Sequence, residues 1–200
     1  MDQHKETPSQ TAGPYLHIGC LPKVVGIQRP DANLGSTVRR GSISGPPITV
    51  EGVITDGTGA LVTDAMVELW QADATGLYPS DLETRGKADP NFLGWARSGC
   101  DPDSGLFQFE TIKPGARPLP DGTQNAPHIT FWIVARGINI GLHTRMYFPQ
   151  DQTAHQRDPL LGQLVDPDRR GTLICKKTGD HAYRFDICLQ GAAETVFLDI

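Results

Sequence analysis

Four side chains able to do chemistry fall in one short stretch: His128, Arg136, His143 and Arg145, within Pro127-His-Ile-Thr-Phe-Trp-Ile-Val-Ala-Arg-Gly-Ile-Asn-Ile-Gly-Leu-His-Thr-Arg-Met-Tyr-Phe148. Imidazoles can move protons or ligate metal, and guanidiniums can hold an anion. A mononuclear metal centre needs three or four converging N, O or S ligands. His128-Ile-Thr130 supplies one imidazole where a His-x-His would place two on one face, so a metal site here is short of ligands. The chain carries no Gly-x-Ser-x-Gly, His-Glu-x-x-His or phosphate-binding loop. His4, His155 and His181 read as ordinary hydrogen-bonded histidines. Cys20, Cys100, Cys175 and Cys188 are widely spaced and without a Cys-x-x-Cys pair, which reads as reduced, structural thiols.

The elements that must position these groups read as β structure. By alternation His128, Thr130 and Trp132 fall on one face of an extended chain and Ile129, Phe131 and Ile133 on the other, which makes this a core strand with two unlike sides. Gly137 releases the backbone, and the alternation of Ile138, Ile140 and Leu142 against Asn139, Gly141 and His143 predicts a second strand. Earlier, a strand over 48 to 55, the turn Asp56-Gly-Thr-Gly59 and a strand over 61 to 71 predict a hairpin. Residues 93 to 99 and 106 to 111 around Asp101-Pro-Asp-Ser-Gly105 predict another. Residues 72 to 92 form a long excursion, and loops of that length are usually functional or cover something.

After Phe148, Asp158-Pro159 starts a short helix over Leu160 to Val165 that Asp166-Pro167 ends. Residues 173 to 177 and 182 to 190 flank Thr178-Gly-Asp180 as a hairpin, with Tyr183, Phe185, Ile187 and Leu189 on one face, and Thr195 to Ile200 is a last strand. Six to eight strands without βαβ alternation predict an all-β fold, a β-sandwich with long loops and short helical turns. Upstream, residues 16 to 47 read as loop and short helical turns. Thr7-Pro-Ser-Gln-Thr-Ala-Gly-Pro-Tyr15 reads as ordered but neither helix nor strand, because Pro8 and Pro14 fix two φ angles. It is either built to lie against something or simply a stiff N-terminal arm.

Length and charge narrow the function classes. Two hundred residues suit one domain, expected over 1–200 with residues 1–15 as the arm. The 22 glycines and 16 prolines are many, but fourteen aromatic residues among many Val, Ile and Leu speak for a turn-rich β protein over disorder. A formal charge of -5 with no Lys/Arg cluster excludes a general nucleic-acid binder. The apolar run from Ile129 to Ala135 is too short to span a bilayer and the polar first ten residues are no signal peptide, so a soluble, cytoplasmic protein is expected.

Six stretches in register carry a resemblance: Thr7-Pro-Ser-Gln-Thr-Ala-Gly-Pro-Tyr15, Glu68-Leu-Trp-Gln-Ala-Asp73, Asp89-Pro-Asn-Phe92, Thr111-Ile-Lys-Pro-Gly115, Ala126-Pro-His-Ile129 and Ala135-Arg-Gly-Ile-Asn-Ile140. Together they resemble the intradiol ring-cleaving dioxygenases, and within them the alpha chains of the protocatechuate-cleaving members, over nearly the whole length. The resemblance implies a sister β-sandwich, the beta chain, as partner in a higher-order alpha-beta oligomer. It implies iron(III), held in the catalytic chain by two tyrosinates and two imidazoles. Carried onto this sequence, those four positions are Thr84, Arg117, His128 and Thr130. A guanidinium cannot lose its proton at a working pH, so Arg117 sets a fixed cation where a phenolate should neutralise iron.

The resemblance therefore implies a chain with no catalytic residues and no metal of its own, whose partner binds Fe(III). It also implies that Thr11, Gly13, Pro14, Tyr15 and Arg136 lie near the substrate, protocatechuate, which is cleaved with O2 to 3-carboxy-cis,cis-muconate. Two other readings of the residues stay open: a stand-alone β-sandwich binding module that has lost catalysis, and a self-sufficient metalloenzyme using His128, His143 and His17.

Overall fold

The computed structural model of the chain describes residues 11–28 and 35–199. Residues 1–10, with His4 and Pro8, residues 29–34 and Ile200 lie outside the described residues. Two sheets face each other. In the first, β1 (Pro47–Thr55) pairs antiparallel with β4 (Leu106–Ile112) and, on its other edge, parallel with β10 (Ala182–Arg184) and β11 (Ile187–Cys188); β9 (Lys176–Lys177) pairs with β10. In the second, the order is β3 (Trp95–Gly99), β2 (Met66–Trp70), β7 (His128–Val134), β8 (Leu142–Tyr147), all antiparallel. A small ribbon of β5 (Arg117–Pro118) and β6 (Gln124–Asn125) leads into β7. This is the β-sandwich that the alternation predicts.

Aromatic packing joins the sheets. Phe131 of β7 stacks on Phe185 at 5.8 Å and lies 6.1 Å and 5.9 Å from Phe107 and Phe109 of β4. Ile129, Phe131 and Ile133 are fully buried, while Thr130 and Trp132 on the opposite face are half-buried, as the period-2 pattern requires. His128 is the exception on that face, being buried against Tyr147. Where β10 gives way to β11, the Phe185 carbonyl comes so close to Gly52 that a Cβ there would sit 1.9 Å from it, which excludes any larger residue.

Several sequence expectations are corrected. Neither predicted hairpin at 48–71 or 93–111 forms: each turn carries the chain from one sheet to the other. After β1 only a single bridge, Thr55 to Leu61, survives before β2 joins the second sheet, and β3 and β4 likewise belong to different sheets. The second strand of the central stretch begins at Leu142, with Ile138 to Gly141 in a turn. The short helix after Phe148 forms as a π-turn, Leu160–Leu164, and ends at an extended Val165 ahead of Asp166-Pro167, but Asp166 then caps a further 3-10 segment, Pro167–Leu173, that the sequence pattern does not predict. The final stretch makes one bridge, Leu198 to His143, in place of a strand. A helix, α1 (Pro14–Cys20), begins inside the segment expected to be neither helix nor strand, because Pro14 occupies its first turn, where a fixed φ and a missing N–H cost nothing. A one-turn helix, α2 (Gln152–His155), follows β8.

Replacing Phe131 by Ala should lower the unfolding free energy by about 3–5 kcal/mol, since it empties the centre of the inter-sheet cluster. Thr130→Ala, one residue along on the other face, should change it by only about 0.5 kcal/mol. Denaturant titration checks the pair, and equal losses would contradict this arrangement of faces.

Candidate functional site

The long excursion between β2 and β3 is held shut at its base by Asp73. Its Oδ1 accepts hydrogen bonds from Thr75 N (2.8 Å), Thr75 Oγ1 (2.7 Å) and Leu77 N (3.1 Å), and its Oδ2 accepts one from Asp89 N (3.0 Å). Beside it the buried Gln71 donates to Ile112 O and accepts from Thr111 Oγ1, which ties the second sheet to the first. Within the loop Arg85 donates to Gly76 O at 2.8 Å and to Glu83 Oε1 at 2.8 Å. These bonds fold the loop over the outer face of the second sheet, at the cross-strand pair Thr130 and Arg145.

Under that loop is a cavity of about 650 Å³, lined among others by Trp70, Tyr78, Thr84, Arg117, Thr130 and Arg145. The structure thus brings together three of the four positions singled out in sequence, Thr84, Arg117 and Thr130. Trp70 and Tyr78 stack at 5.4 Å, and the Arg117 guanidinium carbon lies 5.7 Å from the centre of the Tyr78 ring. Burial raises the pKa of Tyr78, opposed by the positive charges of Arg145, Arg117 and Arg85. The fourth position, His128, is buried. Its Nδ1 lies 2.8 Å from Ala126 O, so this nitrogen carries the proton that the carbonyl accepts. Burial first, then Arg145 and Arg117, push its imidazole down to about 3.

Tyr147 packs against both His128 and His155, and burial, reinforced by Asp158, raises its pKa. Asp158 accepts from Ala126 N, Leu160 N and Leu161 N, fixing the entry to β7. Burial pushes the thiols of Cys100 and Cys175 up to about 11 and about 12, and all four cysteines are free, as structural thiols are. Tyr78 and Arg85 had no sequence signal: both sit in an irregular loop, and only the Asp73 ties show which sheet face the loop covers.

The other named residues meet at the far end of β7. Thr11 Oγ1 donates to Ala135 O at 3.2 Å and accepts from Gly137 N at 2.7 Å, pinning the arm to the turn after the strand. Gly13, Pro14, His17, Asp64 and Arg136 border a depression of about 190 Å³. The Arg136 side chain is 84% exposed and only 3.7 Å from Asp64, a loose surface pair. Tyr15 is 83% exposed. Thr130 lies four residues before the end of β7 at Val134 and Arg136 lies in the turn two residues beyond it, so the two groups are separated along the strand direction. His143 faces Trp132 across the β7–β8 ladder. Among the described residues no three His, Cys, Asp or Glu are grouped to hold a metal ion, and no helix is long and apolar enough to cross a membrane.

A dioxygenase family model matches residues 27–191. The chain belongs to the intradiol dioxygenase family. It is 41% identical to the protocatechuate 3,4-dioxygenase alpha chain of Pseudomonas putida over 97% of this chain and 96% of that one. It is 36% identical to the corresponding beta chain of Burkholderia cepacia over 80% of this chain and 71% of that one. Among solved structures, the dioxygenase domain of a carbohydrate-binding fusion protein from Streptomyces sp. SirexAA-E superposes with a TM-score of 0.57 at 26% identity, over 94% of this chain and 100% of that domain.

The buried His128 makes stability depend on pH. Its folded value lies below the ordinary 6.5, so between 6.5 and about 3 the unfolded chain binds a proton that the folded chain refuses. Stability should therefore fall on acidification through that window, with a contribution of up to about 1.4 kcal/mol per pH unit. His128→Gln, which cannot titrate, should flatten the decline in thermal melts, and an unchanged slope would contradict the assignment.

Proposed function

We propose that this chain is the alpha subunit of a protocatechuate 3,4-dioxygenase, a single domain over residues 1–200 that forms one wall of the active site of an iron-bearing beta chain. The assembly inserts both atoms of O2 between the two hydroxyl-bearing carbons of protocatechuate, giving 3-carboxy-cis,cis-muconate. The observation that carries the reading is the pinned arm. Thr11 locks the backbone at the Ala135–Gly137 turn, so Gly13, Pro14 and Arg136 are held together, and the adjoining Tyr15 is presented outward. A substrate with an anionic carboxylate is well served by a fixed cation that is only loosely paired in the isolated chain. Gly13 and Pro14 supply a stiff lip without bulk, and α1, which buries none of its residues, leaves Tyr15 and Ile18 free to pack against another chain.

The donor set at the equivalent of the family's iron centre does not fit ferric ion. Thr84 and Thr130 offer neutral hydroxyls, Arg117 brings a permanent positive charge, and His128 sits where burial and two guanidiniums already disfavour further positive charge. Iron(III) is accordingly assigned to the beta chain, and this chain contributes electrostatics and shape. The same donor chemistry, with His128 and His143 in different surroundings, speaks against a self-sufficient metalloenzyme. The two alpha-chain and beta-chain relatives favour a subunit over a stand-alone module.

Expressed alone, the chain should show neither tyrosinate-to-iron colour nor ring cleavage, and co-expression with a beta chain should give both. Stoichiometric iron in the purified lone chain would contradict the assignment. In the complex, Arg136→Ala should raise the Michaelis constant for protocatechuate about tenfold and leave that for uncharged catechol within about twofold, the difference expected for one charge-assisted hydrogen bond. Equal effects on the two substrates would remove the carboxylate role.

A further inference from the structure

The cavity beneath the 71–94 loop has a charge balance that none of its own residues completes. Arg85, Arg117 and Arg145 line it, with Glu83 as the carboxylate among its lining residues. Glu83 is consumed by Arg85, to which it is hydrogen-bonded through both oxygens. Arg117 and Arg145 take part in no ion pair among the described residues, and the Nε of each is buried with no hydrogen-bond partner there. Two half-buried guanidiniums without counter-charge are costly unless an anion meets them.

The remaining wall says which anion. Trp70 and Tyr78 form a stacked aromatic platform, Arg117 lies over the Tyr78 ring, and Pro118 and Pro120 close one side. A flat ring can lie against such a platform, and a carboxylate on it can take the guanidinium fork. At about 650 Å³ the cavity is within the roughly 300–1,000 Å³ of small-molecule sites. Trp70, Arg117 and Arg145 are set by strands β2, β5 and β8, and the Asp73 and Arg85 bonds hold the loop that brings Tyr78 over them.

We infer that this cavity is a binding site for a small aromatic carboxylate, held by Arg117 and Arg145 with its ring against Trp70 and Tyr78. Inorganic anions fit the charge but leave the platform unused, and neutral aryl alcohols fit the platform but leave both guanidiniums unmatched.

The test is calorimetric titration of the full-length chain with 4-bromobenzoate, with benzyl alcohol and acetate as the single-feature controls, followed by anomalous diffraction from a soaked crystal. The expected result is saturable one-to-one binding of 4-bromobenzoate, at least about tenfold weaker for each control and for Arg117→Gln, with Arg117→Lys recovering part of the loss. The bromine peak should lie beside Trp70 and Tyr78. Circular dichroism of each variant separates lost binding from lost folding, and Arg145→Gln provides an independent second variant.

Binding unaffected by either Arg substitution, a bromine peak elsewhere, or no saturable binding to the folded chain would overturn the proposal. So would a structure of the alpha-beta complex in which a partner carboxylate already occupies Arg117 and Arg145. The titration reads binding to this chain and not ring cleavage, so its failure leaves the role of Arg136 standing.

Discussion

The clamp on Phe131 is the constraint from which the rest of the molecule follows. A strand allows its side chains two directions only, and the aromatic contacts of Phe131 with Phe107, Phe109 and Phe185 settle which direction is inward. With that register set, Thr130 must face the outer side next to Arg145, and the strand must deliver Ala135, Arg136 and Gly137 to the edge where Thr11 is waiting. A slip by one residue would drive Thr130 and Trp132 into the core and break both ends at once.

One scaffold thus carries two kinds of surface. Towards one end of β7 lies a pocket under the 71–94 loop in which hydroxyls and a guanidinium stand at positions that the resemblance assigns to metal ligands. Beyond the other end is an exposed cation beside a glycine and a proline. Positive charge is the common feature, and it has opposite consequences for metal and for organic anions. Guanidinium groups repel ferric ion but attract carboxylates, so the charge that disfavours a metal cation in this pocket favours an organic anion there.

The central strand was legible because one face is fully buried and the other is not, and that asymmetry writes itself into alternating residue types. The sandwich class followed from the density of turn residues between short apolar runs. The hairpins misled for a physical reason: Asp56-Gly57-Thr58-Gly59 and Asp101-Pro-Asp-Ser-Gly105 have turn chemistry that serves equally well to reverse a strand within a sheet or to pass it to the facing sheet. The choice lies in the packing of β2 between β3 and β7, which local sequence does not reveal. Pro14 misled similarly, since a φ locked near -65° suits a stiff extended segment and a helix's first turn alike.

Of the site, the positions named through the family resemblance could be placed residue by residue, and Thr11, Gly13 and Pro14 of the arm lie beside the Arg136 turn. Tyr78, which completes the aromatic platform on Trp70, and Arg85 could not be anticipated, since they come from a loop whose path depends on one buried carboxylate accepting hydrogen bonds from both of its ends.

The central claim is that this chain lends charge and shape to chemistry performed on a neighbouring polypeptide. A crystal structure of the alpha-beta assembly with protocatechuate bound tests it most directly. The account predicts the metal on the beta chain and the Arg136 guanidinium facing the substrate across the interface; iron seated among Thr84, Arg117, His128 and Thr130, or an Arg136 turned to bulk solvent far from any substrate, would contradict it.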